Sequence, residues 1–215
     1  MTLSASCSML ARTPLLAMPT ALLRWTWPAS WMATRPFRHG NFCWSIERAE
    51  PRCLIDKALL ARIDGSWYEL VAVVSDIDAR SLSLPGQDGW SIKDHLVHIA
   101  TWELSLLALI QGHSTNEAMG LGDEEPSDID GINDLVWKLH RDDSVERVLL
   151  YFCDSHERLT AALAKLSSDD PLLPYSHYQP NQPERHRPIV EWVGPETFEH
   201  YAEHRAWLVR MLSTD

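Results

Sequence analysis

Apolar residues recur at helical spacing along most of the chain beyond residue 54. Over residues 55–76 they stand three and four positions apart and form one stripe, which predicts an amphipathic helix. Turn-forming residues at 84–89 then interrupt the pattern. Ser91, with Asp94 three positions later, has the spacing of a capping box and predicts a second helix over about 92–111.

Two further long helices are predicted in the second half of the chain. After an acidic loop and a short helix over about 132–141, Ser144 is placed to cap a helix that keeps its apolar period to about residue 165. Pro195 follows a glycine and predicts the start of the last helix, which has Trp207 on its apolar stripe. No alternation typical of strands is visible. We therefore predict an all-α fold, a four-helix bundle with a short extra helix, over residues 54–215.

Charge is distributed unevenly along the chain. Residues 1–50 have a net charge of +3 and the rest of the chain has −14, which gives −11 in total. An acidic body without a basic stripe argues against nucleic acid as the main partner, because phosphate binding needs clustered Lys and Arg. No apolar run approaches the roughly 20 residues of a membrane span. Cys153 is the only cysteine of the body, which argues against a thiolate metal site and favours a reducing compartment, the cytoplasm.

Residues 1–53 show neither a helical period nor a strand alternation and form a separate N-terminal extension. Prolines interrupt the apolar run at 13–23, which argues against a secretory signal. The Arg-rich, acid-poor composition suits an organelle transit peptide better. We favour a third interpretation, a translated upstream region or misassigned start, because the tryptophans of this segment have nothing nearby that would bury them.

Histidines supply the candidate chemistry. His200 and His204 are four residues apart on the last predicted helix, which puts both imidazoles on one face. The second helix offers His95 and His98, and a third imidazole from a facing helix would complete a three-histidine metal site with open positions. Spacing does not choose between His95 and His98 as the third ligand. Each also has an interpretation without a metal: His95 as a residue at the solvent boundary, and His98 as a core histidine hydrogen-bonded to a carbonyl. The remaining histidines of the body are expected on the surface: His113, His140, His156, His177 and His186.

Three segments resemble the helix motifs of one known family. Residues 88–103, Asp-Gly-Trp-Ser-Ile-Lys-Asp-His-Leu-Val-His-Ile-Ala-Thr-Trp-Glu, are similar to the second-helix motif of the DinB/YfiT-like four-helix-bundle superfamily, in particular of its ClbS/DfsB branch. Asn133, residues 155–163 and residues 196–204 resemble the third- and fourth-helix segments of that branch. The likeness covers about residues 55–212 and implies a DinB-like four-helix bundle.

The resemblance also implies a ligand set for a divalent metal ion. In metal-binding members, one histidine late in the second-helix motif and a His-x-x-x-His pair on the last helix hold the ion. The matching positions in this sequence are His98, His200 and His204. His95 stands where the family commonly has an apolar residue, so it is left out of the set. Zinc or nickel suits three imidazoles, and manganese and iron also accept imidazole, so the identity of the metal stays open.

Several residues near these histidines are candidates for a role in catalysis or in a substrate pocket. Asp94 and Glu103 stand on the second helix, where either could orient a ring N–H or act as a general base, and Glu103 is our catalytic candidate. A solvated charge is the alternative for both. Trp102 packs in the core or forms a pocket wall. The connection over 168–193 supplies aromatic residues that can cover the open end of the site or simply pack on the bundle: Tyr175, His177, Tyr178 and Trp192.

Three functions are compatible with this site. The leading hypothesis is a metal-dependent enzyme of hydrolase or thiol-transferase type that acts on an electrophilic or toxic small molecule, in detoxification or self-resistance; its substrate class rests on the family resemblance. The second is a protein that binds or sequesters an apolar small molecule without catalysis. The third is a structural role, in which the ion only joins the second and fourth long helices. Bundles of this kind often pair across a helix face, so a homodimer is left open.

Overall fold

The computed structural model describes residue 55 and residues 57–87, 89–122, 124, 126 and 128–213. The N-terminal extension over 1–53, for which the sequence leaves several interpretations, lies outside the described residues. Four long helices form the body of the described chain: α1 (Lys57–Val74), α3 (Ile92–Ile110), α6 (Val145–Leu163) and α9 (Phe198–Leu212). Shorter helices connect them: α2 (Ala79–Leu82), α4 (Thr115–Ala118), α5 (Ile129–His140), α7 (Tyr175–Tyr178) and α8 (Val190–Val193).

The predicted fold class is confirmed. The described residues are mostly helical and contain no strand, only two isolated bridges, between Pro85 and Ser91 and between Pro174 and Pro188. Helix α5 is the short extra helix, and it begins three residues earlier than the sequence predicts, at Ile129. No helix in the described ranges is both long and apolar enough to cross a membrane.

The caps that the sequence predicts for α3 and α6 are present and explain where these two helices begin. The Ser91 N–H donates to the Asp94 carboxylate at 2.9 Å, and the Asp94 N–H donates to the Ser91 hydroxyl, so the capping box of α3 is present. Ser144 caps α6 by accepting from the Arg147 N–H at 3.2 Å. Each cap satisfies backbone N–H groups that have no partner inside the helix. The Asp94 carboxylate is therefore engaged in hydrogen bonds at the helix start.

The start of the last helix differs from the prediction. Pro195 lies in a turn, and α9 begins three residues later, at Phe198. The Thr197 hydroxyl donates to the Val193 carbonyl, and the Thr197 backbone is not helical, so the chain changes direction before the helix forms. Trp207 is 38% exposed although the apolar stripe predicts it to be buried. It lies instead on the wall of a large pocket.

Helix α3 is the central helix of the bundle. Of its 19 residues, 17 are buried, so every side of it is covered by other parts of the protein. It packs mainly against α6, while α1 packs mainly against α9, and α4 and α5 lie along α3. A polar group placed on α3 is therefore surrounded by protein and must find a partner there.

Candidate metal centre and its pocket

Helices α3 and α9 bring three histidines together. His98 comes from α3, and His200 and His204 come from successive turns of α9. One ligand atom from each lies within 4.8 Å of the others, and the Nε2 atoms of His98 and His200 are 3.0 Å apart. These are the three residues that the sequence resemblance implies as metal ligands.

A fourth histidine, His95, stands next to this group. Its Nδ1 lies 3.0 Å from Nδ1 of His204, and its ring also contacts Trp90 and Trp207. His95 is not among the ligands that the resemblance implies, because the resembling family commonly has an apolar residue there. The signal that could have retained it is its spacing, since His95 and His98 are three residues apart and lie on neighbouring positions of one helix surface.

Burial keeps the three clustered imidazoles neutral. It lowers the pKa of His98 well below the ordinary value, and the neighbouring histidines lower it further. Burial also lowers the pKa of His200 to about 4 and that of His204 further still. At neutral pH all three rings are therefore uncharged, which is the form that coordinates a metal.

The donor set and its geometry fit a divalent ion. Two imidazole nitrogens bound to one tetrahedral zinc ion, each about 2.0–2.1 Å from it, lie about 3.3 Å apart, which is close to the 3.0 Å between the Nε2 atoms of His98 and His200. The buried Nδ1 atoms of both residues have no hydrogen-bond partner among the described residues. In the metal-free protein one of these Nε2 atoms donates to the other, and a cation bound by both would take the place of that proton.

The histidines open onto a cavity of about 940 Å³. A cavity of this size is at the upper end of small-molecule sites, which measure roughly 300–1,000 Å³. Helices α3, α5 and α9 and the connection before α9 form its walls. Five of its lining residues are large aromatic side chains: Trp90, Trp102, Tyr175, Trp192 and Trp207.

The connection before α9 closes one side of this cavity. Its two halves are joined by backbone hydrogen bonds, from Tyr175 N–H to the Arg187 carbonyl and from Ser176 N–H to the Arg185 carbonyl, both at 2.9 Å. The guanidinium of Arg185 lies over the rings of Tyr175 and Trp192, 4.2 and 5.0 Å from their centres. The connection that the sequence predicts as a long loop is thus an ordered wall.

The predicted pocket residues do not all reach the cavity. Trp102 lines it and donates from Nε1 to the Asn133 side chain at 3.2 Å, and Tyr175 lines it as well. Tyr178 does not line it, because its hydroxyl turns to the Asp170 carbonyl at 2.9 Å. Glu196 lines it and was missed by the sequence analysis. Burial raises the pKa of the Glu196 carboxyl to about 8, so this group is mostly protonated at neutral pH.

Comparisons with known proteins agree with this arrangement of helices. The sequence matches the DinB superfamily over residues 62–208. The chain belongs to the DinB superfamily. A protein from Streptococcus pneumoniae of known crystal structure has the same fold, with a TM-score of 0.57 at 13% sequence identity over 71% of this chain and 87% of that one. None of the curated proteins is significantly similar in sequence.

A second polar group lies inside this DinB-superfamily bundle, away from the cavity. Glu103, which is fully buried, accepts hydrogen bonds from the hydroxyls of Ser155 and Tyr201, and His156 Nδ1 is 3.2 Å away. Glu103 is absent from the cavity wall. The structure therefore does not bring our catalytic candidate together with the three histidines, and its role as a base stays a prediction.

The prediction that His156 lies on the surface is wrong. The ring is 6% exposed and stacks on Trp67 at 4.3 Å between ring centres. Burial alone would lower the pKa of His156, but hydrogen bonds to Asp64 and Glu103 outweigh it and raise the pKa above the ordinary value. His113, His177 and His186 are exposed, as predicted.

The buried group joins all four long helices of the DinB-superfamily bundle. Glu103 comes from α3, His156 from α6, Tyr201 from α9 and Trp67 from α1. Tyr201 follows His200 directly on α9, and its hydroxyl donates a hydrogen bond to Glu103 on α3. This bond joins the helix of His200 and His204 to the helix of His98. Such a network contributes to the packing of the helices that carry the clustered histidines.

Proposed function

We propose that this DinB-superfamily protein is a metal-dependent enzyme, of hydrolase or thiol-transferase type, that acts on an electrophilic small molecule, as its resemblance to the ClbS/DfsB branch implies. One observation carries the proposal: three neutral imidazoles converge at the wall of a cavity of about 940 Å³. Three uncharged ligands leave a bound dication largely uncompensated, and the number of ligands leaves positions for water or substrate.

When bound, a divalent ion there would lower the pKa of a water molecule toward about 7 and polarise an electrophilic group of the substrate. The protein itself supplies the remaining functions. His98, His200 and His204 are held by two packed helices, α3 and α9, and the aromatic walls exclude water from a bound apolar molecule. The protonated carboxyl of Glu196 in the same cavity can donate a proton to a leaving group.

Metal analysis of the purified full-length chain tests the first half of this proposal. We expect about one equivalent of zinc or nickel after loading and dialysis, and a large loss of metal in His200→Ala. His186→Ala, which changes an exposed histidine outside the cavity, is the matched control and should keep its metal. A wild-type protein that retains no divalent ion after loading would overturn the mechanism.

Turnover of simple electrophiles tests the second half. Suitable probes are p-nitrophenyl acetate with water and 1-chloro-2,4-dinitrobenzene with a low-molecular-weight thiol. We expect metal-dependent turnover of one of them that is lost in His200→Ala and kept in His186→Ala. A bound ion without turnover of any electrophile would favour the second function, sequestration, which the five aromatic rings on the cavity wall also suit.

A further inference from the structure

The charged side chains around the cavity differ in how exposed they are to solvent. Three acidic residues on its wall, Asp130, Asp134 and Glu203, have exposed side chains. Glu196, which is more buried, is mostly protonated at neutral pH because burial raises its pKa to about 8. Among the described residues, Arg185 is therefore the one permanently charged side chain of the cavity wall that is half-buried rather than exposed.

Arg185 is positioned but not neutralised. Its guanidinium lies over two rings, those of Tyr175 and Trp192, and it forms no ion pair with a described residue. Attraction between a guanidinium and an aromatic ring positions the cation without pairing its five N–H donors with acceptor oxygens. Arg185 therefore keeps N–H donors available for a ligand.

Arg187 is a useful contrast only two residues away. It is exposed, does not line the cavity, and forms an ion pair with Glu191 at 2.5 Å. The two arginines share the same loop and the same side-chain type, but only Arg185 faces a space large enough for a small molecule. A cation held in an aromatic wall without a counterion is an expected binding group for an anion, because guanidinium matches carboxylate and sulfonate oxygens in two parallel hydrogen bonds.

We propose that Arg185 is an anion-binding anchor of the cavity, and that the molecules bound there have an apolar or aromatic body with a carboxylate or similar anionic group. The body packs on the aromatic walls, and the anionic group pairs with Arg185. This inference rests on the proposed function only where the bound molecule is taken to be a substrate. Binding of an anionic group by Arg185 does not require catalysis.

Two fluorescent probes with the same aromatic body test this anchor. One is 8-anilinonaphthalene-1-sulfonate, which carries an anionic group, and the other is N-phenyl-1-naphthylamine, which lacks it. Both are titrated into the full-length chain in the presence of a chelator, so that a metal ion does not contribute to sulfonate binding. The measurement therefore does not depend on metal binding or turnover, and metal analysis reports separately on the proposed function.

We expect Arg185→Gln to weaken binding of the sulfonate probe about tenfold, equivalent to about 1.4 kcal/mol, and to change binding of the uncharged probe less than twofold. Arg187→Gln should change neither. Arg185→Lys, which keeps the charge but not the planar group, should lie between wild type and Arg185→Gln. Circular dichroism and the melting temperature identify any variant that does not fold, and Arg185→Lys then takes the place of Arg185→Gln.

Two outcomes would overturn the anchor. Unchanged binding of the sulfonate probe in Arg185→Gln would mean that the guanidinium does not meet the anion. Equal weakening of both probes would mean that Arg185 only supports the rings of Tyr175 and Trp192. Either result would leave metal binding by the three histidines untouched.

Discussion

Nδ1 of His95 lies 3.0 Å from Nδ1 of His204, and this contact joins the candidate metal centre to a histidine that the family resemblance left out of the ligand set. One of the two nitrogens donates and the other accepts, so the contact holds the orientation of both rings, and His204 is the donor in the arrangement that leaves a lone pair on its Nε2. With Nδ1 engaged in this way, Nε2 is the nitrogen of His204 that is left for an ion. The usual partner of a ligating histidine is a carboxylate, carbonyl or water, and here another imidazole takes that place.

His95→Leu should therefore weaken metal binding without removing a ligand. We expect a loss of about 10–100-fold in affinity, the range typical of lost partners of ligating histidines. Competition with a chromophoric chelator measures this directly. His95→Asn is the matched variant, because its amide has a hydrogen-bonding atom at the position of Nδ1, and it should recover part of the loss. Equal affinity in wild type and His95→Leu would show that the contact does not orient His204.

Metal binding should also be visible as thermal stability. A ligand that binds only the folded protein stabilises it by about 2.7 kcal/mol at a concentration 100 times its dissociation constant. We expect zinc or nickel to raise the melting temperature of wild type and of His186→Ala, and to leave that of His200→Ala almost unchanged. Equal shifts in His200→Ala and wild type would place the ion at another site.

The helices and the pairing of His200 with His204 could be predicted from the sequence because their signals are local, whereas His98 was chosen over His95 only on the family resemblance. The capping box at Ser91 and Asp94 needs only residues of one turn, and the His200 and His204 pair needs only the helical period. The start of α9 was misplaced because Pro195 is typical of two local structures, a first helical turn and the turn before a helix. Contacts with α1 and with the preceding connection decide between them.

The buried polar network was harder to predict because it depends on helix packing. His156 follows Phe152 by four residues and precedes Leu159 by three, so it continues the apolar stripe of α6, and that position was the available signal for its burial. Without knowledge of its hydrogen-bond partners, a histidine in such a position is predicted to lie on the surface. Glu103 and Asp64, which are those partners, come from two other helices.

Glu103→Gln separates a structural role of this residue from a catalytic one. The amide presents an N–H donor in a group where Ser155 and Tyr201 already donate, and it removes the charge that His156 faces. We expect a loss of about 2–4 kcal/mol in the free energy of unfolding, measured with urea, because one partner of a buried charged network is lost. Metal content of the folded protein should stay unchanged.

The matched control for that substitution is Glu184→Gln, which changes an exposed carboxylate in the connection before α9 and should be within about 0.5 kcal/mol of wild type. Two results are informative. Lost stability with retained metal places Glu103 in the framework of the bundle. Full stability with lost turnover of the electrophilic probes would instead support the catalytic role that the sequence analysis assigned to it.

Glu196 should make the stability of the metal-free protein decrease as the pH rises. Burial raises the pKa of its carboxyl from 4.5 to about 8, so between these values the folded protein holds a proton that the unfolded chain has released. The stability associated with this proton is complete below pH 4.5 and is lost as the pH rises toward 8. Glu196→Gln, which cannot ionise, should lack this dependence. We expect it to be close to wild type at pH 5 and more stable by at least about 1 kcal/mol at pH 8.5, since one unit of pKa difference corresponds to about 1.4 kcal/mol.

Urea unfolding at several pH values, with a chelator present, measures this difference between the two proteins and cancels the contributions of the histidines. Glu191→Gln, which changes an exposed carboxylate paired with Arg187, should follow the wild-type dependence on pH. Parallel curves for wild type and Glu196→Gln would show that the Glu196 carboxyl is ionised in the folded protein at neutral pH. In that case it could not act as the proton donor of the cavity, and a leaving group would have to take its proton from water.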